Sequence, residues 1–516
     1  MFGFYRRKKK KILEDKLNEM LPAEVRGGIS EKFQKTLDYL RQVFENHDLI
    51  NFRELQAGKD GALKVCFVSC DGLVDADIID NYLIRPLVET EAHIPQNSTS
   101  DVFLSEVFQV LSVTKTTEYD EIIEGITGGD TLVLIDGLCE ALLFDTKGFE
   151  TRAIDEPDGE KILSGPREGF TESLLKNIAM VQRKLKTERL KMRYYKLGRE
   201  TKTKLCIAYL DGIVRPSILE ELYRRLKDID IDGILDANYI NELIRDDKWS
   251  PFRSMGYTER PDIITAKLLE GRVALFVDGT PVVLTLPYLF IENFQSNEDY
   301  YLNFYFTSFS RFLRIIGFFL TIFLPGVYIA IVAYHQEMLP SSLLISIAIE
   351  RSAVPLPAAL EGIIMLIVFE ILRETAVRMQ ANVSQALSIV GALVVGQAAV
   401  EAKLVAAPML IVVAMAGITS LLIPKMNASI LWLRFGILLL ASCFGFLGIT
   451  IACVFLLAHV LDLHSFGVWQ FESFENMHYQ SFKDTAFRAP WPQMLLRPQS
   501  LTRNVRRQKH RPEELK

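Results

Sequence analysis

The chain has 516 residues, of which 49% are hydrophobic and 24% are charged, and its formal net charge is −6. This length accommodates about three domains of roughly 150 residues each. Charged residues occur throughout positions 1–310, whereas almost all long apolar runs lie in positions 312–460. The uneven distribution excludes a chain that is water-soluble throughout, and it predicts a soluble part followed by a membrane part.

Residues 1–50 form a basic N-terminal segment that we expect to be partly helical. It contains six consecutive basic residues, Arg6 to Lys11, and no apolar stretch follows them. A secretory signal requires such a stretch, so the segment is not predicted to be one. Two interpretations stay open: a solvated basic end, or a segment attracted to anionic lipid on the cytoplasmic face of a membrane.

An internal repeat organises the soluble part. The stretch KVCFVSCDGLV begins at Lys64 and KLCIAYLDGIV begins at Lys204, an offset of 140 residues. TLVLIDG at Thr131 and VALFVDG at Val273 form a second pair, with an offset of 142 residues. These pairs predict two duplicated α/β subdomains, at residues 51–163 and 201–310.

Each subdomain is predicted to alternate strands with helices. The apolar runs of the repeat are typical of buried strands, and helical patterns follow the first strand of each copy, in DADIIDNYLIRPLVE and RPSILEELYRRLKDI. A second helix precedes the second strand, and GLCEALLFD and DGTPVVLTLPYLF contain its hairpin partners. Alternation of this kind indicates an α/β architecture with a mainly parallel or mixed sheet.

An Asp-Gly pair ends each of four predicted strands, with the aspartates at Asp71, Asp136, Asp211 and Asp278. Aspartates can serve metal or phosphoryl chemistry, but Asp-Gly is also a favoured turn because glycine adopts positive φ and aspartate bonds the backbone. The sequence has no Gly-rich phosphate loop, no HExxH and no Ser nucleophile elbow. We therefore predict that these four Asp-Gly pairs are turns. The sequence predicts no enzymatic activity, no catalytic or metal-binding residue, no cofactor and no nucleic-acid partner.

Residues 164–200 are predicted to be a linker loop and a bridging helix between the two subdomains. The loop is SGPREGF, and the helix follows in TESLLKNIAMVQRKLKTERLKMRYYKLG. Two interpretations of the loop stay open. It is either a turn whose charges face water, or a subunit-coupling linker in which Arg167 and Glu168 dock on a neighbouring copy, with a backbone shaped by Gly165, Pro166 and Gly169.

The predicted transmembrane domain covers residues 311–462. Four apolar stretches are long enough to be considered as spans, at 315–333, 357–372, 405–423 and 430–461. Two interrupted stretches, at 341–356 and 383–403, are predicted to be interfacial or re-entrant. From Lys483 onwards nine basic residues face three acidic ones, so the tail, 463–516, is predicted to be cytoplasmic. With the α/β part also cytoplasmic, the number of full spans must be even.

Charged residues within this domain are functional candidates because charge is costly inside a membrane. The pore or polar membrane candidates are Glu361, Glu350, Arg351, Glu370 and Arg373. Glu361 and Glu370 are nine residues apart, about 180° around a helix, so both cannot face one pore. Glu370 and Arg373 are spaced for a local ion pair. Glu361 has no basic residue within a turn, and it is the stronger candidate for a polar cavity or an acidic ring in an oligomer.

Four stretches together resemble the GerA family, the A subunits of spore germination (nutrient germinant) receptors. They are SGPREGF, NYLIRPL, LPYLFIENFQSNEDYY and the tail pattern SFGV…FKDTAFRAPWPQM…RP. The resemblance covers roughly residues 35–500. One departure occurs at Val468 and Trp469, where the family usually has Pro-Tyr after Ser-Phe-Gly.

The resemblance implies a multi-pass protein of the spore inner membrane, with its N- and C-terminal regions on the cytoplasmic (spore core) side. It implies as partners a permease-like B subunit, thought to bind the nutrient, a lipoprotein C subunit and membrane lipid. It further implies self-association into a homo-oligomeric ring that forms a nutrient-gated ion channel and releases monovalent cations.

Three alternatives stay open. One is a paralogue that resembles the stage V sporulation protein AF, forming or supporting an ion channel without sensing nutrients itself. Another is a membrane-anchored enzyme acting through the Asp-Gly sites. A third is a transporter working alone, whose usual sign is an inverted repeat among the spans. The sequence shows repetition in the soluble half and not in the spans.

Overall fold

The computed structural model describes residues 29, 33–57, 63–89, 100, 103–104, 107–108, 112–148, 157–162, 164–378, 396–471, 483–494, 496–498, 500–502 and 507. The basic run that starts at Arg6 and most of the interrupted stretch 383–403 lie outside these residues. The chain divides into two compact units. We call them the α/β unit (Met1–Arg245, Met255–Pro287 and Leu495–Lys516) and the helical unit (Asp246–Ser254 and Tyr288–Met494).

The α/β unit contains two successive sets of strands and helices. The first set comprises α1 (Phe33–Val43), β1 (Ile50–Ala57), β2 (Leu63–Cys70), α2 (Ala76–Ile78), a π-helical segment (Ile79–Ile84), α3 (Arg85–Glu89), β3 (Val113–Thr116), α4 (Tyr119–Gly128), β4 (Asp130–Ile135) and β5 (Ala141–Asp145). The second comprises α5 (Leu174–Lys184), β6 (Leu190–Leu197), β7 (Thr203–Leu210), α6 (Pro216–Lys227), α7 (Ala237–Ile244), β8 (Gly256–Thr258), α8 (Pro261–Leu269), β9 (Val273–Val277) and β10 (Val283–Leu286).

Each set builds a five-stranded sheet, and the two sheets have corresponding strand orders. The orders are β1-β2-β4-β5-β3 and β6-β7-β9-β10-β8. Every pair of named neighbouring strands is antiparallel. The expectation of a mainly parallel or mixed sheet is therefore wrong. The helices and hairpins predicted around β2, β4, β7 and β9 are present.

The strand-ending Asp-Gly pairs form turns, as the sequence predicts. Their glycines all have positive φ, between 73° and 93°: Gly72, Gly137, Gly212 and Gly279. The predicted bridging helix is only half present. Helix α5 ends at Lys184, and the following LKMRYYKL forms strand β6, which pairs with β7 along its whole length.

One hydrophobic core joins the two sheets. It combines inward residues of β2, β4, β7 and β9 with helices α1, α4, α5 and α8, including Leu37, Cys66, Leu134, Ile178, Cys206 and Phe276. The opposite face of the first sheet carries a second core, in which Val65, Phe67 and Val133 pack with Leu83 and Leu87. Because the first sheet is covered on both faces, its central strands are continuously apolar rather than alternating.

The helical unit is formed mainly by seven helices within the described residues. They are α9 (Phe304–Tyr334), α10 (Ser341–Ser352), α11 (Ala358–Arg378), α12 (Gly396–Glu401), α13 (Ala407–Ser420), α14 (Asn427–Phe444) and α15 (Phe446–Asp462). A short hairpin of β11 (His464–Ser465) and β12 (Val468–Trp469) follows. Of the helices described, two are long and apolar enough to cross a membrane, α9 and the helix Pro424–Phe444 that contains α14.

The predicted fourth span, 430–461, is wrong as a single helix. The chain breaks at Gly445, whose φ is 59° and ψ is −135°. A Cβ added to Gly448 would lie only 2.0 Å from the carbonyl oxygen of Leu440, so α15 begins folded back against the end of α14. Two helices joined by a sharp turn therefore replace the long span.

Candidate functional site

Glu361 is held in the interior of the helical unit. Its side chain is fully buried on α11, and its Oε1 accepts a hydrogen bond of 2.5 Å from the backbone amide of Ala406. Ala406 is the N-cap residue of α13, so the carboxylate lies at a helix N-terminus, where a negative charge is favoured. Among the described residues, Glu361 Oε2 has no hydrogen-bond partner and no contact with solvent.

Two further polar groups lie with Glu361. Arg351, at the end of α10, interacts electrostatically with Glu361, and it also lies beside the phenol of Tyr328 on α9. In the described part of the chain, Arg351 Nη1 and the Tyr328 hydroxyl are also buried, and neither makes a hydrogen bond of ordinary geometry, although the guanidinium lies close enough to the hydroxyl to interact with it. We call Tyr328, Arg351 and Glu361 the polar triad. It joins three helices through groups whose hydrogen bonds are incompletely satisfied.

The structure thus gives Glu361 a basic neighbour that sequence spacing did not predict. Arg351 is ten residues away, on a different helix, and Tyr328 comes from a third helix. The signal for Arg351 was its position in an otherwise apolar stretch. Glu350, its neighbour in the sequence, is exposed on α10 and does not join the triad.

Glu370 belongs to a separate charged cluster on the same helix. It forms the predicted ion pair with Arg373, at 2.5 Å, and also pairs with Arg434 of α14. The Arg434 side chain is fully buried, and the sequence analysis did not identify it. Because Glu361 and Glu370, two of the three carboxylates of α11, have cationic neighbours on other helices, this helix is fixed within the unit by charge as well as by packing.

Close packing fixes α11, which carries Glu361, against α13. A Cβ on Gly362, the residue after Glu361, would lie 3.3 Å from the methyl group of Met409 on α13. A Cβ on Gly417 of α13 would lie 2.4 Å from the ring of Phe369, so α11 and α13 approach closely there. Small residues at such contacts are typical of helices packed in membranes.

A second polar network joins two of the motifs that resemble the GerA family. Asp299 of SNEDYY accepts hydrogen bonds from Arg311 (2.8 Å) and Arg314 (2.9 Å). Arg311 also pairs with Asp484 of FKDTAFRAP at 2.8 Å, and Arg488 of that motif donates to the Asp299 carbonyl at 2.5 Å. The network ties the start of α9 to the segment that follows the last helix.

The hairpin after α15 is also tied by hydrogen bonds to distant segments of the helical unit. The Ser465 hydroxyl accepts from the amide of Tyr288 and donates to the carbonyl of Ser254. At the position of the departure from the family pattern, Val468 is buried, and the exposed Trp469 ring packs on His464 with centroids 3.7 Å apart. The Val-Trp pair therefore occupies β12 of an intact hairpin.

The SGPREGF loop is held within its own chain by Arg260. This fully buried guanidinium donates to the carbonyl oxygens of Pro166 and Glu160 and pairs with Asp262 at 3.1 Å. Glu168 pairs with Lys184 of α5 at 2.6 Å. Gly165 has a φ of 127° and Gly169 is buried, whereas the Arg167 side chain lies on the exposed part of the turn.

Comparison with known proteins identifies the family. A family described as "Bacillus/Clostridium GerA spore germination protein" matches residues 38–500. The chain belongs to the GerA family. The membership predicted from the four motifs is thereby confirmed, and the matched span contains both polar clusters of the helical unit.

Relatives of this GerA-family chain match along most of their length. Spore germination protein KA of Bacillus subtilis is 39% identical over 465 residues, which cover 90% of this chain and 85% of the relative. The uncharacterized membrane protein YfkQ of the same organism is 39% identical over 478 residues, 92% of each chain. A crystal structure of the N-terminal domain of the A subunit of the Bacillus megaterium spore germinant receptor GerK3 is 31% identical, with a TM-score of 0.41, and covers 51% of this chain and 98% of that one.

Proposed function

We propose that this chain is the A subunit of a spore germinant receptor and that copies of it form a nutrient-gated channel for monovalent cations in the spore inner membrane. Its partners in the proposal are a permease-like B subunit, a lipoprotein C subunit, further copies of itself and membrane lipid. Family membership supports the receptor role. The polar triad is the structural observation that carries the channel proposal.

The dimensions of α9 support membrane insertion. A helix of 31 residues is about 46 Å long, whereas the hydrocarbon core of a bilayer is about 30 Å thick. Its first turns carry exposed aromatic side chains, and Phe312 stacks on Phe487 of the tail motif. Aromatic residues are enriched at membrane interfaces. The proposal places Tyr305, Phe306, Phe309, Phe312, Phe487 and Trp491 at the lipid headgroups.

The C-terminal tail supports an even number of membrane crossings. Residues beyond Met494 belong to the α/β unit, where Thr502 pairs with Val214 in an antiparallel bridge. The N-terminal α/β unit and the tail therefore lie on one side of the membrane in the proposal, and the basic tail favours the cytoplasmic side. The broken helix at Gly445 and the short α13 leave the predicted four spans as a proposal.

The polar triad supports a water-accessible path through the oligomer. Buried polar groups normally find partners, and each unpaired one costs about 1–3 kcal/mol. Three such groups from three helices are best satisfied by water, which an ion pathway would supply. Helix α11, which carries Glu361, also has exposed apolar side chains at helical spacing, where lipid or another copy would cover them. They are Leu360, Ile364, Ile367 and Ile371.

The experiment measures cation flux through the complete receptor reconstituted in lipid vesicles, with and without nutrients. Glu361→Gln removes the charge but keeps the hydrogen-bond acceptor for Ala406. Glu374→Gln is the matched control, because Glu374 lies on the same helix but pairs with Arg378 on the exposed surface. We expect Glu361→Gln to lower the nutrient-triggered flux or its cation preference, and Glu374→Gln to leave both unchanged.

The other outcomes separate the alternatives. Equal flux in wild type and Glu361→Gln would keep the channel and remove the triad from its pathway. Cation flux that is the same with and without nutrients would favour the paralogue that resembles the stage V sporulation protein AF. Fully assembled complexes without any flux would overturn the channel proposal and leave a structural or signalling role.

A further inference from the structure

The chain passes between its two units at four points, and two of these lead directly to the ends of the helical unit. Pro287 is the last residue of the α/β unit before the segment that leads to α9, and residue 495 is the first after the helical unit ends. Within each unit, ion pairs tie these outgoing and returning segments together.

On the α/β side, the connection runs through the turn after α8. Arg272, which is buried, donates from Nη1 to the carbonyl oxygen of Pro287 at 2.5 Å and pairs through Nε with Glu270 at 3.4 Å. Glu270 also pairs with Arg507 of the tail at 3.0 Å. Glu270 and Arg272 therefore hold the outgoing segment and the returning tail at one place. We call these two residues the clamp.

The tail has a built docking site beside the clamp. Leu501 and Thr502 are buried, and the Thr502 hydroxyl donates to the carbonyl oxygen of Ile213 at 2.7 Å. Arg497 donates to the carbonyl oxygen of Leu269 at 2.5 Å, so a cation lies at the C-terminal end of α8, where the helix dipole favours it. The complete burial of Leu501 and Thr502 indicates that the tail binds at a specific site.

On the helical side, the same two segments are tied a second time. Arg311 of α9 pairs with Asp299, which precedes the helix, and with Asp484, which follows the last helix. The Tyr300 hydroxyl donates to Asp484 at 2.7 Å. The outgoing and returning segments are thus fixed to each other at both of their ends.

We propose that the clamp couples the α/β unit to the proposed channel by holding together, at the turn after α8, the outgoing segment and the returning tail. Two connections held at both ends transmit a rotation or displacement, whereas a single flexible connection lets each part move independently. Glu270 and Arg272 are positioning residues in this proposal, which rests on the proposed function. A change in the α/β unit would move the start of α9 and the segment after α15 together.

The test compares Glu270→Gln with wild type in the full chain assembled with its partners. Glutamine removes the charge that pairs with Arg272 and Arg507 while keeping the side-chain size. Glu221→Gln is the matched control, since Glu221 lies in the same unit and pairs, like Glu270, with two arginines, both of them on its own helix α6. The readouts are hydrogen exchange of residues 500–502 and nutrient-triggered cation flux.

We expect Glu270→Gln to speed hydrogen exchange in the tail segment by about tenfold, as the loss of a coupling interaction does, and to lower the nutrient response by a similar factor. Glu221→Gln should change neither. Unprotected exchange of residues 500–502 in wild type would overturn the docked tail. A released tail with an unchanged nutrient response would overturn the coupling role.

The hydrogen-exchange readout stays informative if the proposed function fails. If wild-type complexes show no flux, the channel proposal is lost. In that case, hydrogen exchange is measured at the first turns of α9, residues 304–311, with and without nutrient bound to the complex. A nutrient-dependent change there that Glu270→Gln abolishes supports the clamp, and one that survives in this variant overturns it.

Discussion

Arg434 of α14 and Glu370 of α11 form an ion pair between two helices, and the guanidinium group is fully buried. Glu370 also keeps its local partner Arg373. In the part of the chain that the structure describes, Arg434 Nε and Nη1 have no hydrogen-bond partner, so Glu370 is the main compensation for its buried charge. The pair therefore fixes α14 against α11.

Replacing Glu370 by glutamine leaves the buried Arg434 cation uncompensated. Removal of one partner from a buried ion pair costs about 3–5 kcal/mol. We expect Glu370→Gln to lower the free energy of unfolding by that order, measured by denaturant unfolding in detergent micelles. Glu374→Gln is the control, because its partner Arg378 is exposed and such pairs contribute about 1 kcal/mol or less. Equal losses in the two variants would contradict a structural role for the interhelical pair.

The sequence predicted the central strands of both sheets and missed their edges. The central strands were predicted from continuous apolar runs, which occur because these strands are buried in the sheets. They are β2, β4, β5, β7, β9 and β10. The strands β1, β3, β6 and β8 are the four edges of the two sheets. Edge strands face solvent and carry more polar residues, as in INFRELQA of β1, so their pattern is weak.

The missed edges also explain the wrong strand direction. A helix between two adjacent strands of one sheet indicates a parallel crossover only if no other strand intervenes. Here β3 lies between β2 and β4 in the chain, so β4 returns antiparallel to β2. For the helical unit, apolar length identified the helices, but the break at Gly445 and the Arg434 pair depend on tertiary contacts. A glycine within a long apolar run was the available signal for the break.

Glu361 should contribute to stability through its hydrogen bond as well as its charge. Glu361→Ala removes the acceptor for the Ala406 amide at the start of α13, and loss of such a cap costs about 0.5–2 kcal/mol. Glu361→Gln keeps an oxygen in place, so we expect a smaller loss. Thermal unfolding of both variants in the same detergent measures the difference. Identical melting temperatures for the two would argue against the capping role.

His47 should make the α/β unit less stable in acid. Burial and the nearby charge of Lys191 lower the pKa of His47 to about 4, whereas an unfolded histidine has a pKa of about 6.5. Between these values the unfolded chain binds a proton that the folded chain does not. Its contribution to stability is therefore present above about pH 6.5 and is lost as the pH falls to about 4, to a total of about 3 kcal/mol.

The variant His47→Gln isolates this contribution. We expect the melting temperature of wild type to fall more steeply than that of His47→Gln between pH 7 and pH 4.5. Other titrating groups are shared by the two proteins, so the difference between the curves reports on His47. Parallel curves would show that the imidazole is accessible to protons in the folded state.

Two arginines at the linker loop are expected to have different roles: Arg260 holds the loop in place, and Arg167 is the proposed subunit-coupling residue. Arg260→Met leaves Asp262 without its buried ion pair and removes donors from the carbonyl oxygens of Pro166 and Glu160. We expect a loss of about 3–5 kcal/mol in the free energy of unfolding and faster hydrogen exchange in residues 164–169.

Arg167→Ala should behave differently, because its side chain lies on the exposed turn. We expect a smaller loss of stability than for Arg260→Met, because Arg260 is buried and Arg167 is exposed, and a weaker nutrient response if Arg167 contacts a neighbouring subunit in the proposed ring. The two quantities are measured on the same preparation, by thermal unfolding and by cation flux. Glu168→Gln serves as a comparison, since Glu168 lies next to Arg167 in the loop and pairs with Lys184 of α5. Normal assembly and normal gating in Arg167→Ala would remove the linker from subunit coupling and leave it as a turn held by Arg260.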